Sequence, residues 1–71
     1  MSNFHKMKNS SSIEHIDYHD DEKKFEVKFA SGGVYHSKEC PKMHHDGIKQ
    51  ANSAGSYYHK HMSKYKWNKV N

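Results

Sequence analysis

The segment 25–29, Phe25-Glu26-Val27-Lys28-Phe29, alternates apolar and charged residues without a break, and Ser31-Gly32-Gly33-Val34-Tyr35 follows almost at once. A period of two puts Phe25, Val27 and Phe29 on one side of an extended chain and Glu26 and Lys28 on the other. Adjacent glycines accept positive φ, so the chain is expected to turn and return as a strand at 34–36. A hairpin with one apolar face is marginal until something covers it. In a chain of 71 residues, the remaining segments must supply that cover.

Upstream, 12–18 reads as another strand in which Ile16 and Tyr18 alternate. Ile13 is one residue out of step, which predicts a bulge or a bent start to the strand. The run His19-Asp20-Asp21-Glu22-Lys23 is a polar turn between the two patterns. Residues 1–11 are polar and aperiodic and read as a flexible amino-terminal arm, leaving 12–71 as a single domain.

Downstream, Cys40-Pro41 marks a change of period, since proline is suited to the first helical position. Met43, Gly47, Ile48, Ala51 and Ala54 then recur as a narrow apolar stripe. Gly47 costs about 1 kcal/mol relative to alanine in a helix, and close packing on the sheet is its expected reason. Gly55 is expected to end this helix, and Ser56 to cap a second one beginning at Tyr57, with Tyr58, Met62 and Tyr65 on a shared face. The expected fold is therefore α+β: a three-stranded antiparallel β-meander followed by two short α-helices packed on one face. Its expected core is Ile13, Ile16, Phe25, Val27, Phe29, Val34, Met43, Ile48, Ala51, Tyr58, Met62 and Tyr65.

Composition narrows the function. Only 32% of the residues are apolar, enough for one small core. Cys40 is the single cysteine, so no intramolecular disulfide can form, and with no apolar leader behind Met1 a reducing, cytoplasmic setting is expected. No stretch of about 18 apolar residues is present, so no membrane span is expected. All 12 basic residues are lysine. Residues 1–46 hold seven lysines against eight carboxylates, whereas residues 47–71 hold five lysines and no carboxylate. A basic carboxyl-terminal third is the footprint of a polyanion-binding face. Lysine without arginine favours phosphate contact over reading of bases.

Within that third, Tyr57, Lys60, Lys64, Tyr65, Lys66, Trp67 and Lys69 interleave charge and aromatic rings. Single-stranded nucleic acid is held by this combination, cations for phosphates and rings for stacked bases. The expected binding residues are Lys60, Lys64, Lys66 and Lys69, with Tyr57, Trp67 and Tyr35 as stacking rings.

The other chemistry-bearing groups are weaker. His36, Cys40, His44, His45, His59 and His61 include no paired ligand frame, so neither a metal nor another cofactor is expected. Cys40 beside His36 or His44 lacks the shielded pocket that a nucleophile needs. Asp20-Asp21-Glu22 is a charged turn. No catalytic residue is therefore expected.

The ordered succession Ile16-x-Tyr18, Phe25-x-Val27-x-Phe29, Ser31-Gly32-Gly33-Val34-Tyr35, Pro41, Ala51-x-Ser53-x-Gly55-x-Tyr57-Tyr58 and Met62-x-x-Tyr65 resembles the KTSC domain, a family named for the carboxyl-terminal domain of some lysyl-tRNA synthetases. The resemblance spans residues 11 to about 69 and implies a small domain for which RNA binding has been proposed from its synthetase context. Three positions depart from the family pattern. Ser37 stands where a second tyrosine of a Tyr-x-Tyr pair is expected, His59 where asparagine is, and Ser63 where a basic residue is. All three are expected to be partner-facing. The reading that follows is a small non-enzymatic binding module, RNA-binding without base specificity. The alternative is a protein–protein interaction module (adaptor, inhibitor or accessory subunit) working through the sheet edge or an outer face with Glu26, Lys28 and Tyr35.

Overall fold

The computed structural model describes residues 3–8 and 10–71. Three strands form the meander anticipated from the alternation: β2 (Ile13–His19), β3 (Lys24–Phe29) and β4 (Val34–Ser37). Two short strands extend it at the edges, β1 (His5–Lys6) beside β2 and β5 (Asn68–Lys69) beside β4. The sheet is thus five-stranded and antiparallel, in the order β1-β2-β3-β4-β5. The fold class is α+β as expected, with a sheet two strands larger.

The register explains which face is apolar. Ile13 stands opposite Phe29 and His15 opposite Lys28, so Glu14 is the extra residue of a bulge. The bulge resets the phase, and Ile13, Ile16 and Tyr18 all turn inward with Phe25 and Val27. At the other hairpin, the Gly32 N–H donates to the Phe29 carbonyl, and Gly32 takes φ +111°, the conformation for which glycine is chosen.

The aperiodic sequence of residues 1–11 predicts a flexible arm, but the described part of that segment is tied to the sheet. His5 pairs with Ile16 and Lys6 with His15. The Asn3 N–H donates to Asp17 Oδ1 at 2.7 Å, and the Asn3 amide donates to Asp20 Oδ2 at 2.8 Å. Backbone pairing with an open strand edge requires no apolar alternation, which is why the pattern carried no trace of it. Met1, Ser2 and Asn9 lie outside the described residues.

Helix α1 runs over Met43–Gln50, shortly after Pro41. Its Ile48 is fully buried, whereas Met43, expected in the core, is 68% exposed; five residues before Ile48, it stands about 140° away around the helix and off the inward stripe. Ala51 is already extended, so it ends the helix rather than continuing the stripe. Helix α2 (Ala54–Tyr57) starts earlier than expected, because the Ser53 hydroxyl accepts the Ser56 N–H and makes Ser53 the cap. Gly55 and Ser56 thus lie inside the helix. The chain continues into one π-helical turn, Tyr58–Met62. Ile48, Ala54 and Met62 close over Ile13, Ile16, Tyr18, Phe25, Val27 and Cys40 to make the core. Phe29, Tyr58 and Tyr65 pack on its margin, and Val34 is likewise half-buried. Among the described residues, no helix is long and apolar enough to cross a membrane.

Candidate nucleic-acid interface

The sheet register places Tyr35 differently from the outer-face position expected for it. Tyr35 pairs with Val27, so its side chain stands on the inward side of the sheet, near the open edge. There its ring meets Phe29 edge-on at 5.5 Å, and Phe29 meets Tyr58 edge-on at 5.2 Å. All three rings are half-buried; Phe29 and Tyr58 pack against the core, and Tyr35 reaches it through Phe29. Lys69 on β5 is the strand partner of Tyr35. At the other end, Lys60 lines a shallow groove of about 400 Å³ together with Phe29, Tyr58 and Ser53. Lys69, Tyr35, Phe29, Tyr58 and Lys60 thus form one stripe, aromatic in the middle and cationic at both ends.

Four of the eight lysines outside this region are neutralised, while among the described residues Lys6, Lys8, Lys23 and Lys38 have no ion pair. Lys24, Lys28, Lys42 and Lys49 are each paired with a carboxylate, Glu22, Glu14, Asp20 and Asp46 respectively. Among the described residues, Lys60, Lys64, Lys66 and Lys69 are exposed and no carboxylate neutralises them. Lys64 Nζ rests 5.4 Å from the centre of the Tyr65 ring. Lys66 is anchored through its backbone N–H, which donates to Glu39 Oε1, and its side chain is left to solvent.

Two of the rings expected to stack bases have structural partners instead. The Tyr57 hydroxyl bonds His44 Nδ1 at 2.9 Å, and its ring packs against His61 at 4.6 Å. His44 Nε2 faces the Tyr65 hydroxyl at 3.4 Å, so both imidazole nitrogens are engaged. Burial, assisted by the charges of His61 and Lys64, holds the His44 pKa below its ordinary value. Trp67 donates from Nε1 to the Met62 carbonyl at 2.9 Å and packs on Phe25 and Tyr58. Phe29 and Tyr58, assigned to the core from their spacing, are the rings that stand beside Lys60. Burial raises the Tyr58 pKa, with the neighbouring Cys40 and Tyr35 adding to it, so its hydroxyl stays protonated.

Of the three departures from the family pattern, Ser37 is not partner-facing. It is only 1% exposed, paired with inward Phe25, and its hydroxyl oxygen accepts the N–H groups of Glu39 and Cys40. It shapes the turn into α1. His59 and Ser63 are exposed, and the Ser63 hydroxyl donates back to the His59 carbonyl at 2.6 Å. The Cys40 thiol is buried, and desolvation pushes its pKa up to about 12, far from the thiolate a nucleophile requires.

One cluster had no sequence signature. Glu26 lies on the outer sheet face between two histidines, and its carboxylate accepts from His15 Nε2 and His36 Nε2, each at 2.8 Å. His19 Nε2 is 3.6 Å from the same carboxylate and 3.8 Å from Asp17. Only the pairing of three strands brings these side chains together.

The KTSC domain model matches residues 9–65. The chain belongs to the KTSC domain family. Among solved structures, it is similar to a crystal structure of a KTSC domain protein from Yersinia pestis, with a TM-score of 0.85 and 24% identity over 100% of both chains. At that identity the likeness concerns the fold alone. No curated protein matches the sequence. In this KTSC domain the framework residues Phe25, Val27 and Met62 are core, Phe29 and Tyr58 pack on its margin, and Tyr35 is half-buried beside Phe29.

Proposed function

We propose that this KTSC domain is a non-enzymatic module that binds single-stranded RNA along the stripe from Lys60 to Lys69. The observation that carries the reading is the uninterrupted run Lys60, Tyr58, Phe29, Tyr35, Lys69, with its lysines unneutralised. Lys60 and Lys69 contact phosphates, and Lys64 and Lys66 extend the cationic field. Bases stack on the open faces of Tyr35, Phe29 and Tyr58, a contact worth about 1–3 kcal/mol per base. Every base has such a face and the chain has no arginine, so binding is tolerant of sequence. A cytoplasmic setting fits a lone cysteine held as a thiol.

The test is fluorescence anisotropy with a labelled single-stranded RNA across a salt series. Two to four phosphate contacts give a log–log salt slope of about −1.4 to −2.8. Combined Lys60→Glu and Lys69→Glu substitution abolishes binding, and Tyr35→Ala weakens it by about tenfold or more. Absence of binding at low salt refutes the proposal. A stoichiometric protein partner that survives nuclease treatment would replace RNA with protein as the ligand.

A further inference from the structure

A second site is formed by residues outside the stripe. Where β1 meets the carboxyl-terminal end of α1, a cavity of about 460 Å³ is lined by His5, Lys8, Ser10, Lys49 and Asn52, with Met7 and Ala54 contributing apolar floor. No carboxylate is among the lining residues. The nearest acid on α1, Asp46, is 3.3 Å from Lys49 and lines the neighbouring depression. Ser10 Oγ accepts from the N–H groups of Ser12 and Ile13, which leaves its own O–H as a donor. His5 is crowded by positive charge. Burial is the largest cause of its lowered pKa, and Lys49, His45 and Lys8 each lower it further. Cations and donors thus converge on a concavity whose lining holds no carboxylate, the nearest counter-charge being Asp46 on the outer side of Lys49.

We propose that this cavity binds a phosphate monoester, either a free mononucleotide or the phosphorylated end of an RNA. Lys8 and Lys49 pair with the phosphate oxygens, Ser10 and Asn52 donate to them, and His5, which resists protonation among these cations, takes up a proton as the phosphate offsets them. The volume falls in the range of small-ligand sites and leaves room for a sugar beyond the phosphate. The carbonyl end of α1 opposes an anion, so affinity depends on the side-chain cations and falls with salt.

The probes are inorganic phosphate, adenosine 5′-monophosphate, adenosine, and a short RNA with and without a 5′-phosphate, followed by NMR amide and histidine-ring shifts. Phosphate and the monophosphate are expected to shift His5, Lys49 and Asn52 saturably and to raise the His5 titration midpoint, while adenosine does neither. Lys8→Gln with Lys49→Gln weakens this binding by about tenfold and leaves the thermal midpoint near that of the unaltered protein, both lysines being exposed. Lys60→Glu with Lys69→Glu leaves it unchanged, which separates it from binding along the aromatic stripe. Tighter binding of the 5′-phosphorylated RNA assigns the cavity to an RNA end. Equal binding of the two RNAs, with saturation by the monophosphate, assigns it to a free nucleotide. Shifts by adenosine equal to those by the monophosphate, or no saturable shift with any phosphate, overturn the proposal.

Discussion

The Tyr57 hydroxyl lies directly against the Cα of Gly47, so that a Cβ on Gly47 would overlap its oxygen and press on its ring. Gly47 therefore serves a helix–helix contact, α1 with α2, and not the packing on the sheet that its place in the apolar stripe suggested. Gly47→Ala gains about 1 kcal/mol of helix propensity and loses about 1–3 kcal/mol to overpacking. The contact also fixes the hydroxyl that holds His44. The expected net is destabilisation of up to about 2 kcal/mol in urea denaturation. Tyr57→Leu in the same background restores much of the loss, because shared contacts make the two changes non-additive. An unchanged or raised midpoint for Gly47→Ala alone would show that Tyr57 can move aside freely.

Acid should unfold the domain in two separable stages. Burial holds the His44 pKa below its ordinary 6.5, so an unfolded chain takes up a proton there that the folded one resists. Stability from this group is complete above pH 6.5 and declines as pH falls below it. Glu26 acts lower. Burial alone would raise its pKa, but hydrogen bonds from His15 and His36 outweigh burial and hold it below its ordinary 4.5. Its contribution is present above pH 4.5 and is lost as pH falls through the lower, folded value. Glu26→Gln should cost about 1 kcal/mol near neutrality and flatten the lower stage only. Thermal midpoints measured from pH 7 to pH 3 distinguish the two.

Much of this architecture was legible because it is written in side-chain period. Phe25, Val27 and Phe29 announce β3, and the phase slip at Ile13 announces the bulge at Glu14. The edge strands β1 and β5 were not legible, since two-residue pairings rest on backbone hydrogen bonds that any polar residue can make. The candidate stripe was half legible. Lys60, Lys69 and Tyr35 stood out by residue type, but only the register sets Tyr35 against Phe29. Trp67 and Tyr57 misled for a physical reason: an aromatic ring among lysines looks the same in sequence whether its polar end meets solvent or a buried partner.

Cys40 should resist modification while the protein is folded. Its thiol is 2% exposed and its pKa is pushed up to about 12 by burial, so almost no thiolate exists at pH 8. Ellman's reagent is expected to react slowly in native buffer and rapidly in 6 M guanidinium, where the usual thiol pKa of about 8.5 returns. Fast labelling in native buffer would mean that the Ser37–Cys40 turn opens readily.

Lys23 closes the β2–β3 turn with φ 51°, a left-handed conformation that costs a residue with a Cβ about 1–2 kcal/mol. The preceding turn is fixed by the Glu22 N–H donating to the His19 carbonyl. Lys23→Gly should therefore stabilise the domain by about 0.5–1 kcal/mol despite glycine's greater freedom when unfolded. Lys23→Val should destabilise it by a comparable amount, since β-branching makes positive φ harder still. Chemical denaturation of the pair gives opposite signs if the turn keeps this geometry in solution.

Trp67 separates a folding role from a binding role. Its ring packs edge-on against Phe25 at 6.0 Å and tilted against Tyr58 at 5.4 Å, and its N–H is spent on the Met62 carbonyl. Removing it opens the carboxyl-terminal side of the core and loosens the lead into β5, which pairs with Tyr35. Trp67→Ala should cost about 2–4 kcal/mol, a large share of a small domain's stability. Trp67→Phe should recover most of the packing but not the hydrogen bond, leaving a deficit of about 1 kcal/mol. Because the indole lies outside the run from Lys60 to Lys69 and is engaged by Phe25, Tyr58 and the Met62 carbonyl, Trp67→Phe should bind single-stranded RNA as tightly as the unaltered chain. Tyr35→Ala should show the reverse, with a modest loss of stability and a large loss of affinity. Denaturation and anisotropy measured on the same two variants decide it: an affinity loss for Trp67→Phe that exceeds that of Tyr35→Ala would move the stacking surface from the sheet edge to the indole.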